Sequence, residues 1–272
     1  MVESSQHTAE RDVLAARLAR TAERRNLLRL FADHCRWRFA ADAAAVMLRD
    51  RRTGTWSVAA RSGRGLGEAD ASLFEGAATR DPPHRLHRIA RPLRPHGRLF
   101  GGTVVRRDSR PFRLADASRL GRLSRVATAE LIARDRQLVE RAVSRLHRKL
   151  AHGTGSVDAL YHVLDEATRL TRASHSATIL LAVDPGRWYV VAEKIAGRPS
   201  QRIGDIVEFA RVDNGDVATS LTVSSTSRRG RSFQLVVRAS SGDPFDDWDV
   251  RVLHALADPA AAAVDRLSPG HR

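Results

Sequence analysis

Two halves of the chain match each other as an ordered series of residues at a near-constant spacing, and this internal repeat limits the fold more than any other feature. Pro111-Phe112, Asp116, Leu120 and Leu123 match Pro244-Phe245, Asp249, Leu253 and Leu256, each pair 133 positions apart (245 − 112 = 133). Arg98-Leu99-Phe100 and Arg231-Ser232-Phe233 share that offset, as do Ala45-Val46-Met47-Leu48 and Thr178-Ile179-Leu180-Leu181. Gly54-x-Trp56 and Gly186-x-Trp188 are 132 apart, implying one residue lost in the intervening turn. Chance could supply one such match, but not a series in order, so the reading is duplication of one module. A chain of 272 residues with 42% hydrophobic residues has enough apolar sequence for a core in each copy.

Both halves read with the same grammar. A helix comes first, Leu27 to Phe39 or Val157 to Leu170, with apolar residues at helical spacing. A hairpin follows: Ala43 to Leu48 with Trp56 to Ala60, and Ala177 to Val183 with Trp188 to Ala192. Less regular middles hold Gly63-Arg64-Gly65-Leu66-Gly67 and the stretch from Gly197 to Gly204. Two late strands are expected near Leu86 to Pro92 and Phe100 to Val105, then Thr219 to Ser224 and Ser232 to Arg238. A closing helix begins near Asp116 or Asp246. Helices on a mainly antiparallel sheet make an α+β class. The expected boundaries are a helical segment over 1–23, a first domain over 24–130, a connecting helix over 131–152, a second domain over 153–267 and a tail over 268–272.

The order of elements, ending in Phe, x, x, x, Asp, x, x, x, Leu, x, x, Leu, resembles the GAF domain family. Phe112, Asp116, Leu120 and Leu123 carry it in one half, and Phe245, Asp249, Leu253, Leu256 and Ala257 in the other. An acidic residue at a helix start caps free N–H groups and suits the dipole; leucines at i, i+4 and i+7 cover a sheet. PAS domains are the nearest competitor, and the leading and closing helices favour GAF. The resemblance spans about residues 24 to 267 and implies tandem sensory or regulatory modules. In GAF folds the middle segments roof the ligand pocket, which makes Arg64, Leu66 and Phe74, and Ile203, Ile206 and Phe209, the pocket candidates. No cofactor is expected and the ligand is left unnamed. The cyclic-nucleotide signature of the family, Asn-Lys-x-x-x-Phe-x-x-x-Asp-Glu, does not occur.

Other chemistry finds little footing. Cys35 is the only cysteine, which excludes an internal disulfide, and its place on the leading helix differs from that of a bilin-attaching cysteine. His84-x-x-His87 with His96 lacks partners for a metal site. Asp243, Asp246, Asp247 and Asp249 lack EF-hand spacing and read as a helix start. No nucleophile and base constellation and no phosphate-cradling Gly-rich loop is found, so the expectation is a protein that is not an enzyme. The chain ends shortly after the second closing helix, which leads to the expectation of a separate output protein such as a kinase or transcription regulator.

Between the halves, Ile132, Val139, Val143, Leu146 and Leu150 include a 4-3-4 spacing read as a coiled-coil seam. Leu14, Leu18 and Leu28 suggest a similar stripe. The expectation is a parallel homodimer, with docking of these stripes on the protein's own domains as the alternative. Net charge is +15, and Lys149 and Lys194 are the two lysines, an arginine skew of the kind a GC-rich bacterial genome produces. The rival function is therefore a nucleic-acid-associated protein using the stretch Arg80 to Arg110, which is less favoured because the arginines are dispersed. No apolar run is long enough to span a bilayer and no secretory signal is seen, so a cytoplasmic protein without membrane association is expected.

Overall fold

The computed structural model describes residues 2–21, 23–50, 54–75, 87–95, 99–171, 173, 175–208, 219–239 and 245–267. Phe209, His84, His96 and Asp243 lie outside them. The chain divides into two compact units, Met1–Asp135 and Arg136–Arg272.

The first unit opens with α1 (Val2–Ala19) and α2 (Arg24–Arg38). A four-stranded antiparallel sheet follows, made of β1 (Ala43–Arg49), β2 (Trp56–Gly63), β3 (Arg88–Leu93) and β4 (Gly101–Arg106) in the order β2-β1-β4-β3. A short 3-10 turn (Glu68–Ala71) and the four-residue α3 (Ser72–Glu75) sit between β2 and β3. Leu27, Leu28, Phe31, Ala32 and Cys35 form the buried stripe of α2, against Ala44 and Val46 of β1 and Val105 of β4. Leu14 and Leu18 of α1 are in that same core. The N-terminal helix is therefore part of the first unit, and its leucine stripe is covered by the unit's own residues.

The second unit contains α5 (Ser156–Leu170), β5 (Ser176–Asp184), β6 (Arg187–Ile195), short β7 (Arg198–Pro199) and β8 (Ile206–Glu208), β9 (Thr219–Thr226), β10 (Ser232–Ala239) and α6 (Asp247–Val264). Its sheet runs β7-β6-β5-β10-β9, with β8 also on β6. Without β7 and β8, the order β6-β5-β10-β9 is that of the first sheet. Ala159, Leu160, Val163, Leu164 and Ala167 repeat the α2 stripe on α5. Both sheets are α+β in architecture, as the sequence predicts.

Each hairpin turn places a glycine in the left-handed region, Gly54 at φ 72° and Gly186 at φ 81°. The registers also break at the same step: Val46 pairs Ala60 while Met47 pairs Val58, and Ile179 pairs Ala192 while Leu180 pairs Val190. This shared bulge is one extra residue on the second strand of each pair. One sequence match fails in register. Leu48 pairs Gly101, whereas Leu181 pairs Phe233, so Phe233 stands where Gly101 stands and the offset on this strand is 132 (233 − 101 = 132). Phe100 and Phe233 are therefore not equivalent in register, although Phe100, just before β4, is buried in the helix-side core of its unit as Phe233 is in the other.

The closing helices begin alike. The Arg113 N–H donates to Asp116 Oδ2 at 2.9 Å, and the Asp246 N–H donates to Asp249 Oδ2 at 2.9 Å. Only the second helix has the reciprocal half, in which Asp246 Oδ1 accepts from the Trp248 and Asp249 N–H groups. The first closing helix, α4 (Leu114–Ala151), is also the connector: the two elements expected over the end of 24–130 and over 131–152 are one helix of 38 residues.

The seam assignment on α4 needs correction. Val139, Leu146 and Leu150 are buried in the second unit's core with α5 and α6, and Val143 packs against it. Ile132 is half-buried. Val139, Val143, Leu146 and Leu150 are thus packed by their own chain. Over twelve residues, heptad spacing and the stripe of an amphipathic helix docked on a globular core give the same pattern. An ion-pair cluster fixes the same contact: Glu166 of α5 accepts from Arg145 of α4 at 2.7 Å and from Arg169. Burial pushes the Glu166 carboxyl up, but the hydrogen bonds and charges of those two arginines outweigh it and hold it below the ordinary value.

Candidate ligand-binding face

Each sheet has one face against helices and an opposite face built from the alternate residues of the same strands. The two opposite faces are equivalent in register and different in chemistry. Pairing across the strands makes Met47, Val58, Val104 and Arg106 the counterparts of Leu180, Val190, Val236 and Arg238. At four other positions the character changes: Ala43 becomes Ser176, Ala45 becomes Thr178, Arg61 becomes Glu193, and Gly102 becomes Gln234.

In the first unit this face is a packed satellite core. Ala43, Ala45, Met47, Ala90 and Val104 meet Leu66, Ala71 and Phe74. Phe74 stacks on Trp56 with ring centroids 5.1 Å apart. Gly102 makes room for that ring, since a Cβ there would lie 2.0 Å from Phe74 Cε1. The turn carrying Leu66 is held by the Arg106 Nη1 donation to Gly65 O at 2.9 Å and by Arg61 Nη1 to Leu66 O at 3.4 Å. Leu66 and Phe74, expected to line a pocket, instead fill the space, and Arg64 is exposed. Periodicity locates such residues over the sheet but does not distinguish a lining from a plug.

In the second unit the same face is polar at its centre. Glu193 is 3% exposed and Gln234 is 6% exposed. Thr178 Oγ1 donates to Glu193 Oε1 at 3.0 Å, while Glu193 Oε2 has no hydrogen-bond partner among the described residues. The guanidinium of Arg202, on the turn after β7, stands 4.0 Å from Oε1. Gln234 Nε2 donates to Ser224 Oγ at 3.2 Å, leaving its Oε1 without a partner among the described residues. Leu180, Val190 and Val236 form the apolar part, with Trp188 and Val207 packed against them. A cavity of about 20 Å³ is lined by Thr178, Leu180, Glu193, Arg202, Val207 and Val236 among others. The Glu193 charge reaches beyond the face: burial first, and then this carboxylate, push the Tyr161 phenol above its ordinary value.

The expected lining residues of this half are also displaced. Ile203 is 43% exposed and Ile206 is 50% exposed. Val207 is the residue that faces the cavity, because Ile206 pairs Tyr189 and Val207 pairs Trp188, one step apart in a two-residue repeat. Thr178, Glu193, Gln234 and Arg202 were not singled out from the sequence. Their signal was the alignment of Ala45-Val46-Met47 with Thr178-Ile179-Leu180, where a polar residue replaces alanine at a face position.

The remaining candidates have structural settings. Cys35 is fully buried in the first core. Asp246 and Asp249 serve the α6 cap. His87 Nδ1 is 2.8 Å from Arg107 O, and no group of three metal-ligating side chains occurs among the described residues. Within Arg80 to Arg110, Arg88 pairs Asp70 at 2.8 Å, Arg91 Nε donates to Ala117 O at 3.1 Å, and Arg106 binds the Gly65 turn. Arg107 is buried and donates to the carbonyls of Phe39, Arg110 and Pro111, with its guanidinium over the Phe112 ring. These guanidiniums brace the fold. Among the described residues, no helix is long and apolar enough to cross a membrane.

No protein-family model matches the chain, and no curated protein matches it. Among solved structures, the GAF domain of an Acinetobacter phosphoenolpyruvate-protein phosphotransferase is similar at 13% identity and TM-score 0.37, over 48% of this chain and 95% of that one. The phycoerythrobilin-bound GAF domain of a cyanobacterial phytochrome is similar at 12% identity and TM-score 0.38, over 47% and 94%. Bacteriophytochrome RpBphP3 of R. palustris is similar at 12% identity and TM-score 0.48, over 97% of this chain and 76% of that one. These three structures, to which the chain is similar, are two GAF domains and a bacteriophytochrome.

Proposed function

We propose that the protein is a sensory or regulatory protein of two tandem GAF-like modules, in which the second module binds a small molecule and the first is a filled scaffold. The observation that carries this is the buried Glu193 carboxylate, with one oxygen held by Thr178 and the other without a hydrogen-bond partner among the described residues, beside a cavity. A desolvated acceptor left unmade costs about 1–3 kcal/mol or more for a charged group, which a donor on a ligand recovers. The first module has Arg61, Ala45 and Gly102 at the corresponding positions and places Phe74 over them. In this reading the protein binds rather than turns over its ligand, and its output passes through contact with a separate protein such as a kinase or transcription regulator. A dimer built on the α4 stripe is no part of it, because those side chains are taken up in the second core.

The test is a thermal-shift screen of the full chain against small metabolites, followed by hydrogen-exchange mapping of any compound that stabilises it. Added protection is expected in β5, β6 and β10. Protection confined to β1, β2 and β4, or no stabilising compound at all, overturns the proposal.

A further inference from the structure

We propose that the second module's site takes a primary amine, with the ligand's ammonium group on Glu193 Oε2 and Arg202 as the internal cation that competes with it. The inference rests on the ligand site proposed above and names its chemistry. Three buried side-chain atoms on this face have no hydrogen-bond partner among the described residues, Glu193 Oε2, Gln234 Oε1 and Ser176 Oγ. Glu193 is the one of them that lines the cavity, and its carboxylate oxygen is an acceptor, so the group missing there is a donor. Glu193 is almost wholly withdrawn from water, whereas the Arg202 side chain is 48% exposed. The carboxylate is thus the group with the larger desolvation penalty and the greater gain from a charged donor.

Arg202 does not meet that need. Its Nη1 is 4.0 Å from Glu193 Oε1, and its Nε is 3.8 Å from Asp205 on the same turn. Both separations exceed hydrogen-bond length, leaving a loose, solvent-screened interaction. The cavity of about 20 Å³ holds one water-sized group. An ammonium head is of that size; a planar guanidinium or an aromatic ring is not. Leu180, Val190, Val207 and Val236 close around the cavity, so the amine that fits is a short one.

An anion would reverse the logic. It would be drawn to Arg202 and Arg238, the two arginines that line the cavity, and would stand against a buried carboxylate of like charge. The two cases give opposite responses to removal of Arg202. With an amine, Arg202→Ala removes the cation nearest the carboxylate and raises the fraction of binding-competent protein; with an anion it removes part of the attraction.

The experiment uses three small probes, methylamine, methanol and formate. Each is titrated into the full-length wild type, Glu193→Gln and Arg202→Ala, with binding read by ligand-observed NMR and by hydrogen exchange. The expected result is that methylamine binds and protects β5, β6 and β10. Glu193→Gln should weaken it by about tenfold or more, the scale of a hydrogen bond to a charged group, and Arg202→Ala should tighten it. Glu193→Gln keeps the Thr178 acceptor and the side-chain shape, and its unchanged melting temperature separates lost binding from lost folding. Formate binding that Arg202→Ala weakens, or equal binding of amine and alcohol unaffected by Glu193→Gln, overturns the amine assignment. If either still protects the same strands, the ligand site stands. If no probe protects those strands and the metabolite screen also finds nothing there, the site falls with it.

Discussion

At the scale of single residues, the two modules differ through a few substitutions at equivalent face positions. Gly102 and Gln234 occupy the same place in register, but only Gly102 lies under an aromatic ring. Gly102→Val should destabilise the first unit by about 1–3 kcal/mol, because the new side chain meets Phe74 in a filled space. Gln234→Val puts an apolar group where an amide acceptor has no partner among the described residues, and should change the second unit's stability by less than about 1 kcal/mol. Urea denaturation of both variants checks the contrast; equal losses would mean that the two faces are packed alike. This difference was only partly legible in the sequence. The offset of 133 put Ala45 opposite Thr178, yet the Glu193 and Arg61 equivalence depends on a bulge, and that of Gln234 and Gly102 on a register one residue away from the sequence match.

At the scale of elements, helix and strand positions were legible because burial imposes a period. The buried stripes of α2 and α5 are readable from apolar spacing, and the helix start at Asp249 from its capping pattern. What a stripe packs against was not readable. Val139, Val143, Leu146 and Leu150 fit both a partner helix and the protein's own core, and the structure places them in the second core. Leu146→Ala should therefore cost about 2–5 kcal/mol of second-unit stability, the range for a large-to-small change in a core, and leave the oligomeric state unchanged. Chemical denaturation with light scattering measures both. A variant that keeps its unfolding midpoint but changes its oligomeric state would restore the seam. The same ambiguity affected the covers over the sheets: Leu66 and Phe74 fill a face, and Val207 rather than Ile206 faces the cavity, because strand parity is set by pairing and not by hydrophobicity alone.

At the scale of the whole molecule, one strand order serves two uses. The first unit closes its outer face with its own side chains, so the face adds apolar burial to the unit. The second keeps a carboxylate there, at an energetic cost a packed face would avoid, and under the proposed function that cost is offset by a ligand. The net charge of +15 does not by itself identify a partner, since Arg107, Arg91 and Arg106 are engaged within the first unit. The account predicts an asymmetric protein in which one module binds and the other does not. Native mass spectrometry of the full chain titrated with methylamine and with any compound from the metabolite screen counts bound molecules directly. One ligand per chain, lost in Glu193→Gln, is the predicted result; two per chain, or one that survives Glu193→Gln, would contradict it.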